Sequence, residues 1–147
     1  MRTRKSWREK MDDPNLPKVV NIPPKMQKRF QGPGTLLIPS PRDVDGVIRT
    51  IRKGTVMTVG QIRERLAAQY STTSACPLVT GIFVRISAEA AEEEALEGKR
   101  RIAPYWRVVK NDGSLNPKLP GGAERQAERL REEGVKVVKG RVPLLAG

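Results

Sequence analysis

The sequence predicts a mixed α/β fold, mostly helical and of winged helix-turn-helix type, and three observations predict it. Apolar residues recur at helical spacing in Val44, Val47, Ile48 and Ile51, and again in Ile62 and Leu66. A further helical stretch starts at Pro77 after the polar run Tyr70-Ser-Thr-Thr-Ser-Ala75, so that two helices flank a short turn. Beyond them Val108-Val109 reads as a strand and Asn111-Asp112-Gly113 as a turn, the material of a small β-wing.

Taken in order, residues 1–40 read as a basic, proline-rich arm. Pro14, Pro17, Pro23, Pro24, Pro33 and Pro39 recur too often for a long helix or a central strand. Up to position 34 the arm carries nine basic residues against three acidic ones, half of the whole excess. Thr35-Leu-Leu-Ile38 reads as a short edge strand, while Trp7 and the run Lys25 to Phe30 are candidate anchors to the domain or to nucleic acid. The domain proper is expected over residues 41–134. Its first helix runs from Asp43 to Arg52 and stops at Lys53-Gly54, since glycine is favoured just past a helix end. Thr58 with Gln61 makes a capping box for a second helix over 59–69, with Arg63 and Arg65 pointing outward. The third runs from Pro77 to about Glu94 with Val79, Ile82, Phe83 and Ile86 as its apolar face. Ala88 to Arg101 changes sign along its length and reads as a solvated helix end and loop. A last helix covers Gly122 to Glu133, and residues 135–147 form a terminal strand or tail.

Composition limits the function classes. With Lys and Arg at 28 against 16 acids the formal charge is +12, which favours a polyanionic partner through counterion release. No apolar run reaches the roughly 18 residues that span a bilayer, so no membrane is expected. The basic start is not followed by the apolar stretch of a secretory signal. A single cysteine, Cys76, builds no disulfide framework and fits a reducing, cytoplasmic setting, with nucleoid association following from the charge. The chain has no histidine, hence no imidazole base and no Ser-His-Asp triad, and one cysteine makes no structural zinc site. No phosphate-binding Gly-x-x-x-x-Gly-Lys loop is present, and neither a cofactor nor a metal is expected.

One stretch carries more than composition. Pro104-Tyr105-Trp106-Arg107-Val108-Val109, then Asp112-Gly113-Ser114-Leu115, Gly121-Gly122 and Glu133-Gly134 stand in an order and spacing that resemble the active-site segment of the O6-alkylguanine-DNA alkyltransferase family. That family reads Pro-Cys-His-Arg-Val, a turn, Gly-Gly, and a helix ending in Glu-Gly. Thr58-Val59-Gly60-Gln61-Ile62 likewise stands where the family has Thr-Tyr-Gly-x-Ile, and the resemblance covers residues 41–134. The frame is kept and the nucleophile is not: Tyr105 stands in place of the acceptor cysteine and Trp106 in place of the activating histidine. The family's arginine finger falls on Val84, one residue before Arg85, and Leu119 replaces the tyrosine of its base pocket.

The resemblance implies a protein that binds double-stranded DNA with a minor-groove helix and phosphate contacts. It also implies a sensor of alkylated bases in DNA repair, like the alkyltransferase-like proteins that bind a lesion and pass it to excision-repair proteins. Tyr105, Trp106, Arg107, Arg85, Thr58, Ser74 and Pro104 are the candidate DNA- and base-contacting residues; Arg63, Arg65, Lys5, Arg8, Lys28 and Arg29 are the candidate phosphate contacts of a monomer. Tyr105 is expected to wall a pocket for an extruded base, with a core tyrosine as the competing reading. For Arg107 a salt bridge to Glu133 or Asp112 competes with a DNA role. Tyrosine, with a pKa of about 10, is a poor nucleophile toward an alkyl carbon. The rival classes are a repair enzyme, either a glycosylase or lyase or a transferase using Cys76, and a non-specific architectural nucleic-acid-binding protein.

Overall fold

The structure is a computed structural model and describes residues 5–30 and 32–144, so the first four residues of the expected arm, with two of its basic side chains, and the last three of the expected terminal strand or tail lie outside the described residues. Ser6 opens a single turn, α1 (Trp7–Lys10), by accepting the Glu9 amide. The chain then forms β1 (Lys18–Asn21) and β2 (Thr35–Ile38), antiparallel with Lys18 opposite Ile38. The described part of the segment expected to be an arm is therefore built into the fold. Met11, Ile22, Leu36 and Leu37 are buried. The prolines fall between these elements and not inside them, which is why their density did not exclude short strands.

Two reciprocal capping boxes position the central helices. In α2 (Pro41–Ile48) the Ser40 hydroxyl accepts the Asp43 amide at 3.1 Å while the Asp43 carboxylate accepts the Ser40 amide at 2.9 Å. After β3 (Met57–Thr58), Thr58 and Gln61 repeat the exchange at 3.1 and 2.8 Å at the start of α3 (Val59–Gln69). β4 (Ser74–Ala75) adds in parallel to β2 and completes a three-stranded sheet. α4 (Pro77–Leu96) follows, then β5 (Val108–Val109), which pairs in parallel with β3, and α5 (Gly122–Glu132). The architecture is mixed α/β, mostly helical with small sheets.

α4 departs from the expected pattern. Its buried stripe is Thr80, Val84, Ser87, Ala88 and Ala91, whereas Ile82 is 49 % exposed. The inward side chains are small because α4 packs closely on α2: the Ser87 hydroxyl donates to the buried Asp45 carboxylate at 2.7 Å, whose other oxygen accepts from Arg49 at 2.7 Å. Apolar periodicity alone missed this face, since serine, threonine and alanine form it. The acidic end of α4 is likewise no free solvated stretch, because Glu92, Glu93, Glu94 and Glu97 each engage an arginine residue.

Two apolar clusters result. The larger gathers Leu37, Val44, Ile48, Ile62, Leu66 and Tyr105, and the smaller Val109, Leu115, Leu130, Val137 and Val142. Trp106 packs against both. The C-terminal segment closes the smaller cluster through a tight hairpin in which Val138 bridges Arg141, with Lys139 and Gly140 both at positive φ. That is the backbone a two-residue turn between twisted strands requires. Arg141 also bridges Ser114. Among the described residues no helix is long and apolar enough to cross a membrane.

Candidate nucleic-acid interface

The Tyr105 segment is a 3-10 turn, Tyr105–Arg107, leading directly into β5. Tyr105 is only 2 % exposed, and its hydroxyl donates to Glu92 Oε1 at 2.5 Å. Arg129 donates to the same oxygen at 3.0 Å, and its guanidinium lies 4.4 Å from the centre of the Trp106 ring. The Tyr105 and Trp106 rings meet edge to face with centroids 5.4 Å apart. Burial, reinforced by the Glu92 hydrogen bond, pushes the Tyr105 hydroxyl well above its ordinary pKa, so it stays a protonated donor.

Arg107 turns the other way. It grips Glu133 with two hydrogen bonds of 2.9 and 2.6 Å and donates a third, at 2.6 Å, to the Ile51 carbonyl. Burial raises the Glu133 carboxyl, but the hydrogen bonds and charge of Arg107, with the nearby Trp106 N–H, outweigh it and hold the group below the usual carboxylate range. The Trp106 Nε1–H is buried without a well-aligned acceptor, although it lies near enough to Glu133 to add to that effect. Gln126 completes the frame. It is 2 % exposed, donates to the Trp106 and Val108 carbonyls at 3.0 and 2.8 Å, and accepts the Asn116 amide at 2.9 Å. Reading the sequence missed this clamp, because a lone glutamine in an acid- and arginine-rich helix gives no signal.

These contacts correct several expected site residues. Tyr105 is a core residue and walls no open pocket, and none of five surface clefts among the described residues is lined by it or by Trp106. Arg107 is committed to Glu133, and Pro104 is buried beside it. Thr58 is buried and spends its hydroxyl on the α3 cap. Arg8, expected on phosphate, is bound to Glu97 through its guanidinium, and its backbone N–H donates to Glu93. Arg63 does not point freely outward: it donates to the Ala75 carbonyl at 2.9 Å and to the Ser74 hydroxyl at 3.2 Å, tying α3 to β4. Arg65 is exposed and donates to Thr50 at 2.9 Å.

The outward surface lies elsewhere. On α4, Leu78 is 71 % exposed, Ile82 49 % and Arg85 also exposed; their i, i+4, i+7 spacing puts them on one stripe. Gly81, between them, has no atom near its missing side chain. Lys25, Lys28 and Arg29 are exposed. Burial first, and then the charge of Arg29, act to lower the pKa of the Arg63 guanidinium at the α3–β4 junction. Beside that junction a cleft of about 650 Å³ runs between Thr73, Ser74, Gly60 and Asn111, with the Asn111 side chain accepting the Gly60 amide at 2.7 Å. Among the described residues no three His, Cys, Asp or Glu side chains are grouped as a metal would need.

Comparison with known proteins adds the family. Residues 39–135, about two thirds of the chain, match the family model described as 6-O-methylguanine DNA methyltransferase, DNA binding domain. Among solved structures the chain is similar to S. pombe Atl1 in complex with damaged DNA containing O6-carboxymethylguanine, at 23 % identity and a TM-score of 0.42, covering 67 % of this chain and 78 % of that one. No curated protein matches it. The chain belongs to the 6-O-methylguanine DNA methyltransferase DNA-binding-domain family.

Proposed function

We propose that this protein binds duplex DNA and recognises damaged, alkylated bases without removing the alkyl group, as part of DNA repair. The observation that carries the reading is the state of Tyr105: at the position where the resembled family holds its acceptor cysteine, the side chain is buried with its hydroxyl given to Glu92. Its neighbour Trp106, at the place of the activating histidine, is an aromatic wedge between two cores and takes no proton. The nucleophile and base that alkyl transfer requires are therefore both missing at that site.

The binding half of the reading rests on the family membership, the +12 charge and the exposed α4 stripe. Residues 41–134 act as the DNA-binding domain. α3 and α4 serve as a helix-turn-helix, with the Ser114 and Val138–Arg141 bridges as its wing. Leu78, Gly81 and Ile82 meet the minor groove, where apolar wedges part base steps. Since Tyr105 is packed, lesion preference arises from the duplex: a weakly paired, damaged step costs less to open and bend. The protein works as a soluble cytoplasmic monomer on the nucleoid and passes the marked site to excision-repair proteins.

Incubation with a duplex carrying O6-methylguanine tests this. Binding is expected to be tighter than to the undamaged duplex at the same salt, with the protein mass unchanged and the lesion intact. A methyl group gained by Cys76, or a released base, makes the protein an enzyme and overturns the reading.

A further inference from the structure

We infer that α1, which lies outside the residues matched by the family, is part of the DNA-binding surface: docked along α4, it holds Trp7 and Lys10 beside Arg85 to contact the phosphate strand that borders the groove. This rests on the proposed duplex binding and adds to it an element that the family domain does not supply.

The docking is specific. The Arg8 amide donates to Glu93 Oε1 at 2.8 Å, the Arg8 guanidinium takes both oxygens of Glu97, and Met11 is 3 % exposed beneath the turn. This latch leaves the other side chains of the turn outside the core. Trp7 stays partly exposed, with Lys10 Nζ 4.0 Å from its ring centre and the Arg85 guanidinium 5.8 Å away. A ring covered by two cations is held in place without being consumed, because each cation keeps donors for a further partner. Arg85 belongs to the same α4 stripe as Leu78 and Ile82, so the cluster continues the exposed apolar tip into a positive flank.

The charges decide the occupant. Lys10 and Arg85 meet over Trp7, and the acids nearby are engaged or lie at the margin: Glu9 accepts from Ser6, Glu93 accepts the Arg8 backbone N–H, Glu97 is paired with the Arg8 guanidinium, and Glu89 stands one turn beyond Arg85. An apolar ridge that turns basic along one side matches a duplex groove bordered by phosphates. Lys10 is thereby a contact of a docked helix, whereas Arg8 is the residue that docks it.

Affinity of the full chain for a random-sequence, undamaged duplex, measured across a range of salt, tests this with two variants. Trp7→Ala with Lys10→Gln should bind roughly tenfold more weakly and lose about one unit of salt slope. Glu97→Ala makes the chain more basic, so bulk electrostatics alone would tighten binding; loss of the Arg8 latch should weaken it instead. If Trp7→Ala lowers the melting temperature, Lys10→Gln alone keeps the test, through the same loss of slope. Binding of the first variant like the parent, or tighter binding of Glu97→Ala, overturns the role of α1 while duplex binding stands. A parent chain that binds no duplex at all overturns the proposed function and this inference with it.

Discussion

Two regions of this protein have gone opposite ways. The Tyr105–Arg107 turn is enclosed: its tyrosine, tryptophan and arginine are spent on Glu92, on two apolar clusters and on Glu133. The α4 stripe is open, and Leu78 and Ile82 stand in water at a hydrophobic cost that nothing in the fold offsets. The difference teaches where function lies. On the proposed reading, the segment that would carry a reaction serves as structural support, and the surface that would meet DNA is the exposed one.

The largest expected effects break the enclosed side. Tyr105→Ala removes a ring that is almost fully buried and should cost about 3–5 kcal/mol of stability. Affinity for damaged and undamaged duplexes should then fall together. Tyr105→Phe keeps the ring and loses only the hydroxyl, and because Arg129 still satisfies Glu92 the cost should be about 1 kcal/mol. Denaturant unfolding beside the two titrations checks both. Normal melting of Tyr105→Ala with lost preference for the damaged duplex would instead make Tyr105 a base contact.

A somewhat smaller loss is expected at the neighbouring pair. Arg107→Met leaves Glu133 charged and nearly buried, which should cost about 3 kcal/mol. The pair also sets a pH dependence. Glu133 is held below its ordinary value of 4.5, so its stabilisation is complete above that value and is lost as pH falls through the lower, folded pKa. Glu133→Gln should therefore melt lower than the parent at neutral pH, and the gap should close in acid below about pH 4.5. A gap that persists unchanged in acid would show that the ion pair is not its source.

The sequence made one of these regions easier to read than the other. Local signals worked: the Thr58–Gln61 capping box and the Val44, Val47, Ile48 stripe appear where spacing put them, although α2 ends at Ile48 and not at Arg52, so that Ile51 is buried from the loop beyond it, and the Glu133 partner of Arg107 was among the expected alternatives. Long-range commitments did not show. Nothing in the string reveals that Glu92 lies against Tyr105, that Arg8 reaches Glu97, or that Arg63 turns back to Ala75. Basic residues therefore looked free when they were engaged. The α4 face was misread because an inward Thr80, Ser87 and Ala88 carry little hydrophobic signal, while the more apolar Ile82 faces out. The N-terminal strands were hidden by prolines that turned out to lie between them.

The open side is tested by changes that should leave the fold alone. Leu78→Ser and Ile82→Ser replace exposed side chains, so stability should move by no more than about 0.5 kcal/mol. If the stripe enters the groove, the double variant should bind duplex about tenfold more weakly, close to 1.4 kcal/mol. The salt slope should hardly change, because no charge is removed. Parallel loss of slope and affinity would mean that the variant has disturbed the basic residues and not the wedge.

The smallest expected effect separates free from engaged cations. Lys28 and Arg29 are exposed, and the charge of Arg29 acts on the Arg63 guanidinium. Arg49 is held by Asp45 at 2.7 Å and reaches Glu94 at 3.9 Å. Each substitution to glutamine removes one positive charge, so net charge alone predicts equal losses in duplex affinity. Position predicts otherwise. Lys28→Gln and Arg29→Gln should each lower the slope of log K against log salt by about 0.9, as one phosphate contact is lost. Arg49→Gln should leave the slope as it is, while lowering stability through the unpaired Asp45 carboxylate, which is largely buried. Equal slopes for all three would show that the DNA senses only the total charge, and the distinction between an open binding face and an enclosed supporting one would fail on its basic side.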